Sequence, residues 1–107
     1  MRRGDFVKVV TSGSYGKPRP ALIVQSDLFN QHPSVSVLPL SSELRNLPLF
    51  RVLIEPSTLN GLEKRSEVMV DKIQTIPLEK IGGEIGRASD EEMLAINRAL
   101  AIFLGFA

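Results

Sequence analysis

The feature that most constrains this chain is a change of period near Ser89. Before it, apolar residues alternate with polar ones or stand in short β-branched runs, separated by Gly, Pro, Asn and Ser. That is strand patterning broken by turns. After it the spacing becomes helical: Met93, Ile96, Leu100 and Phe103, with Leu104 beside them, fall on one stripe. Ser89 suits an N-cap, and Glu92, three residues on, completes a capping box. Asp90 and Glu91 add carboxylates at the positive end of the helix dipole, and Gly105 is placed to end the helix. The prediction is a mainly β chain of about six short strands followed by one helix, which packs through its stripe on a small, strongly bent sheet or barrel.

Residues 5–10 read as the first strand and 11–20 as a loop rich in turn formers. Residues 21–25 are nearly all apolar, which predicts a strand covered on both faces. Residues 26–33 leave the sheet and 34–40 return to it, with Pro39 placing that end at an edge or a bulge. A polar connection, 41–46, precedes a strand at 49–55, and Asn60-Gly61 marks a turn. Residues 67–76 read as the longest strand, 77–81 as one helical turn, and 84–87 as a short last strand.

At 107 residues the chain reads as one domain, 1–107, with a single modest core. Thirteen basic against twelve acidic side chains leave a net charge of +1, so any anion-binding surface must come from local placement. There is no cysteine and one histidine, His32, which excludes disulfides, thiolate catalysis and an ordinary zinc site. No metal or other cofactor is expected, and there is no Gly-Lys-Ser/Thr loop or dinucleotide glycine fingerprint. His32, in Gln31-His32-Pro33, reads as a turn residue. No apolar run approaches the ~18 residues of a membrane span. The basic stretch at residues 1–5 lacks the apolar region of a signal peptide, which leaves a cytoplasmic location as the expectation.

What remains for chemistry is Gly16-Lys17-Pro18-Arg19-Pro20. Each proline fixes its own φ and pushes the preceding residue toward extended geometry, so Arg19 has few backbone options. A stiffly mounted guanidinium beside a strand suits an anion site. Arginine is permanently charged and grips phosphate through two parallel hydrogen bonds, but is a poor base. Ser41-Ser42 and the polar groups of residues 71–75 stand at strand ends that could face it. On the residues alone this is a small β-rich domain with a candidate anion site, or a strand start with solvated charges.

Several segments taken together resemble the MazF/PemK (Kid) toxin family. They are Arg3-Gly4-Asp5, the run from Gly16 to Asp27, Leu38-Pro39-Leu40-Ser41-Ser42, Val70-Asp71-Lys72-Ile73-Gln74-Thr75-Ile76, Ile85-Gly86 and the closing helix, in the family's order over nearly the whole chain. The resemblance implies an SH3-like, CcdB/PemK-type barrel with a C-terminal helix, and a homodimer. It implies the toxin of a bacterial toxin–antitoxin pair, a metal-independent, sequence-specific endoribonuclease that cuts single-stranded RNA and arrests growth. In that chemistry the substrate's own 2′-hydroxyl attacks the adjacent phosphate, leaving a 2′,3′-cyclic phosphate and a 5′-hydroxyl. Arg19 matches the family's catalytic arginine, and Ser41 falls where members commonly place a threonine. Ser14, Tyr15, Lys17, Ser42, Asp71 and Gln74 are the implied RNA-binding residues, with Tyr15 able to stack on a base. The implied partner is a cognate antitoxin that lays an acidic, partly disordered segment in the RNA groove, against Lys17, Arg19 and Arg87. DNA would be met only through that antitoxin, and no membrane is implied.

The chain departs from the family pattern in places. Some members carry a glutamate and a histidine where Ser14 and Pro18 stand here, and others an arginine at the positions of Met69 or Gln74. The proton acceptor is therefore open among Tyr15, Lys17, Asp71 and His32. Two alternatives to a nuclease are a CcdB-like gyrase poison and a catalytically inactive SH3-like binding module. The apolar end of the helix, residues 101–107, lacks the terminal Trp-Gly-Ile of the gyrase poisons.

Overall fold

The computed structural model of the chain describes residues 1–10 and 17–106. Seven strands form one antiparallel sheet: β1 (Asp5–Val9), β2 (Arg19–Ile23), β3 (Ser34–Ser41), β4 (Arg51–Ile54), β5 (Ser66–Met69), β6 (Gln74–Pro77) and β7 (Ile81–Arg87). Their order is β4-β5-β3-β2-β1-β7, with β6 also against β3. Among the described residues the sheet bends without closing into a full barrel, since β4 and β7 end its path. The helix α1 (Asp90–Leu104) follows, and 3-10 turns occupy Asp27–Phe29, Val70–Lys72 and Leu78–Lys80.

The expected longest strand, 67–76, is interrupted. Its two halves, β5 and β6, both pair with β3, but the register shifts by three residues between them, the length of the Val70–Lys72 turn. The turn acts as a large bulge. It drops Val70, fully buried, into the core beneath α1, and it cancels the face assignment that an unbroken strand would give residues 71–75. The last strand is longer than expected, Ile81–Arg87, and β2 begins at Arg19, so Arg19 and Pro20 belong to the sheet and not to the loop. Pro39 is not at an edge; it lies opposite the bulge, as one of the two expected placements had it. It faces Ala21 on one side, and on the other it falls between the β3–β6 ladder at 34–37 and the β3–β5 ladder at 40–41, where a missing N–H breaks no rung.

Two apolar clusters cover opposite faces of the central strands. Phe6, Leu22, Leu38, Leu40, Val68 and Val70 pack under Ile96, Ala99 and Leu100 of α1. Val7, Val9, Ala21, Ile23, Val35, Val37 and Ile76 fill the other side. This agrees with the two-sided burial expected for 21–25. The helix starts as its sequence dictates: the Ser89 hydroxyl accepts the Glu92 N–H at 3.1 Å, and the Glu92 carboxylate accepts the Ser89 N–H at 2.8 Å. It ends at Gly105 in the left-handed region, φ 87°. The apolar stripe outruns the sheet, however. Ile96 and Leu100 are buried, whereas Phe103 and Leu104 remain 46% and 47% exposed.

The Asn60-Gly61 turn is folded against β7. Asn60 is fully buried, with its amide oxygen accepting the Ser57 and Leu62 N–H groups and its amide nitrogen donating to the Glu55 carbonyl. A Cβ on Gly86 would stand 2.3 Å from the Asn60 carbonyl oxygen, so only glycine allows this approach.

Candidate functional site

Arg19 opens β2 opposite Val9 of β1, with its side chain exposed. The β2–β3 ladder runs from Ile23–Val37 to Ala21–Pro39. Both strands extend two residues further, which brings Arg19 and Ser41 to the same level of the sheet. Side chains alternate along a strand, so both project from the face that carries Ala21 and Pro39. At this point β3 turns from β2 to β5, where Ser41 faces Glu67. Arg19 and Ser41 therefore flank the place where two ladders part. Gln74 faces Val37 and projects from the same face, exposed. Three of the sequence-predicted residues thus share one side of the sheet. Lys17, two residues before Arg19, and Ser42, next to Ser41, are exposed. Ser14 and Tyr15 lie outside the described residues.

Ser41 is half-buried and its hydroxyl is already oriented by the following turn. It accepts the Glu43 N–H at 3.1 Å. The hydroxyl also donates to the Glu43 carbonyl through a long 3.4 Å contact, so this local serine turn holds the oxygen in one place while a phosphate oxygen could compete for its hydrogen.

Asp71 has an internal partner. Arg51 of β4 donates to its two oxygens through Nε at 2.8 Å and Nη2 at 3.2 Å. The two side chains are 10% and 17% exposed. The hydrogen bonds from Arg51 hold the Asp71 carboxyl below the usual carboxylate range, against the opposing effect of burial, and the same contact raises the guanidinium. A carboxylate so held is a weak proton acceptor. Arg51 also lies 4.0 Å from Glu67, which is 4% exposed. The Glu67 oxygens accept the backbone N–H groups of Arg45 and Asn46, each at 2.9 Å. Sequence reasoning missed Arg51 and Glu67. The only signal was a charge inside each of two strand-like stretches, and the pairing spans twenty residues in one case. Met69 faces Arg51 across the β4–β5 ladder, so the cation beside Asp71 is supplied by the neighbouring strand.

Other cations are committed to the scaffold. Arg87 donates to Asp5 at 2.7 Å, which ties β7 to β1 and weakens its expected part in partner binding. Arg3 donates to the Val24 carbonyl and to Asn97, pinning the chain after β2 to α1. His32 closes its own turn, with Nδ1 3.2 Å from the Ser34 nitrogen. Among the described residues no three His, Asp or Glu side chains gather as metal ligands, and no helix is long and apolar enough to cross a membrane.

A bent antiparallel sheet with one C-terminal helix, with an exposed arginine level with a positioned hydroxyl on one face, defines a small β-barrel-like fold. Residues 2–104 match the family described as PemK-like, MazF-like toxin of type II toxin-antitoxin system, and the chain belongs to that family. It is 42% identical to the probable endoribonuclease MazF of Mycolicibacterium smegmatis, over all of this chain and 99% of that protein. Among solved structures it resembles a mycobacterial endoribonuclease in complex with its cognate antitoxin, with a TM-score of 0.84 and 29% identity over all of this chain and 97% of the other. The Mycobacterium tuberculosis toxin MazF-mt6 superposes with a TM-score of 0.82 and 26% identity, covering 96% and 98%. The expected family and fold are borne out; the described residues form seven strands, where about six were expected, in an open, barrel-like sheet.

Proposed function

We propose that this toxin is a metal-independent endoribonuclease that cuts single-stranded RNA in the bacterial cytoplasm. The observation that carries the reading is the placement of Arg19 and Ser41 at one level and on one face, where β3 parts from β2. The relatives named as endoribonucleases support it over a gyrase poison or an inactive binding module.

The substrate's 2′-hydroxyl gives up its proton as its oxygen attacks the adjacent phosphorus, and the 5′-oxygen leaves and takes up a proton, so one proton is transferred in all and no water is consumed. A 2′,3′-cyclic phosphate and a 5′-hydroxyl result. Charge accumulates on the non-bridging oxygens in the transition state. The Arg19 guanidinium, carried on a backbone restricted by Pro18 and Pro20, meets that charge. The Ser41 hydroxyl hydrogen-bonds the same phosphate. Lys17, Ser42 and Gln74 line the approach to the RNA, with Ser14 and Tyr15 from the loop before them. Asp71 acts through its grip on Arg51.

The toxin works as a homodimer, and a cognate antitoxin blocks it by laying an acidic segment over Arg19 and Lys17. Support for an antitoxin comes from the solved complex of the similar mycobacterial endoribonuclease. Support for the dimer comes from the apolar residues left on and after α1: Leu94, Ile102, Phe103, Leu104 and Phe106 are 46–72% exposed.

The test is incubation with a long single-stranded transcript in EDTA, followed by mapping of cut sites and end groups. Cyclic-phosphate and 5′-hydroxyl ends are expected. Cleavage that needs a divalent metal, or that survives in Arg19→Ala, refutes the proposal.

A further inference from the structure

The least exposed carboxylate in the described chain is Glu67, and it faces Ser41 across the β3–β5 ladder. Burying a carboxylate is costly unless its oxygens are satisfied. Here Oε1 takes the Arg45 N–H and Oε2 takes the Asn46 N–H, while Arg51 stands 4.0 Å away and is itself committed to Asp71. The loop that leaves Ser41 is thus clamped at both ends. Its start is held by the Ser41 hydroxyl on Glu43, and its end by one carboxylate on two successive amides. Between those clamps the chain adopts a backbone that few residues choose, with Asn46 at φ 56°. A charge at this site adds little net stability over an apolar residue. What it does add is a single loop geometry, because only one conformation presents both N–H groups to one carboxylate.

We infer that Glu67 is a positioning residue for the nuclease reaction, setting the Ser41 hydroxyl against the RNA phosphate by pinning the 42–46 loop. The inference rests on the reading of Ser41 given above. Glu67 does not touch substrate; it acts through the loop. In Glu67→Gln the amide keeps one acceptor and turns an N–H toward a backbone N–H, so one of the two hydrogen bonds that hold the end of the loop is lost.

The test is a double-mutant cycle on a short fluorogenic RNA that contains the mapped cut site. Glu67→Gln is expected to lower kcat about tenfold with KM changed less than about threefold, and to deprotect the Arg45 and Asn46 amides in hydrogen exchange. In a Ser41→Ala background the same substitution is expected to leave kcat unchanged, although its cost in thermal stability persists. A merely structural role would lower kcat equally in both backgrounds, and that result overturns the inference. An unchanged kcat in folded Glu67→Gln overturns it as well. If Glu67→Gln does not fold, Glu67→Asp, which keeps the charge and shortens its reach, takes its place in the cycle with the same criteria. If Ser41→Ala alone cleaves at the wild-type rate, the reading of the site fails instead, which separates the two.

Discussion

The Arg51 guanidinium grips both oxygens of Asp71, at 2.8 and 3.2 Å, from the strand next to the one that bears Met69. The pair lies where the β5–β6 bulge carries the chain past β4, and it connects three features that are far apart in sequence: the bulge, the buried Glu67 and the loop after Ser41. Its side chains are shielded enough for the interaction to matter energetically, so it yields direct tests.

Arg51→Met leaves the shielded Asp71 carboxylate with the exposed Lys72 ammonium, 4.0 Å away, in place of its two hydrogen bonds from Arg51, and is expected to cost about 3–5 kcal/mol in chemical denaturation. The double variant Arg51→Met, Asp71→Leu should recover part of that loss, because the Asp71 charge is then gone and Glu67 keeps the Arg45 and Asn46 N–H groups. A double variant no more stable than the single one would show that the pair is not the cause.

The same pair predicts a pH dependence. Asp71 titrates lower when folded than its unfolded value of about 4, so its contribution is complete above about pH 4 and is lost as pH falls through its folded value. The stability gap between wild type and Arg51→Met should therefore be widest near neutrality and close on acidification below about pH 4. Denaturation series at several pH values check it, and a gap constant down to pH 2 counts against the assignment.

Arg19→Ala is expected to lower RNA cleavage about 10³-fold or more, by loss of a fixed charge at the scissile phosphate. Thermal unfolding should hardly move, since the side chain is exposed. Ser41→Ala should cost roughly 10- to 100-fold, and Ser41→Thr should retain most activity. Fluorogenic cleavage rates and melting curves measured on the same samples decide both.

Gly86→Ala places a methyl 2.3 Å from the Asn60 carbonyl and must push the 57–61 turn off β7. A loss of at least about 2 kcal/mol is expected, which thermal or urea unfolding measures. A neutral substitution would mean that the turn can move away freely.

Ile102→Glu puts a charge on the exposed apolar end of α1 and should convert a dimer into a monomer in sedimentation at micromolar concentration. Sedimentation of the unaltered chain as a monomer would remove the support that this surface lends to dimerisation.

Some features were decided within a few residues, and these were legible in the sequence. The helix from Ser89 to Gly105 was one, because its cap, its stripe and its terminating glycine are all local. The two-sided burial of residues 21–25 and the stiff mounting of Arg19 between Pro18 and Pro20 were others, as φ restriction and hydrophobic periodicity do not depend on distant contacts. Tertiary structure alone decided the rest. The unbroken strand expected at 67–76 became two strands because both halves must pair with β3 at different registers, and the three extra residues had to be absorbed at Val70–Lys72. That bulge turned Asp71 from a strand residue into the partner of Arg51, and left Glu67 to hold the loop beside Ser41. Charge pairing across strands depends on register, and register is set by long-range packing. The arginine was visible from its two prolines; what holds its neighbouring hydroxyl in place was not.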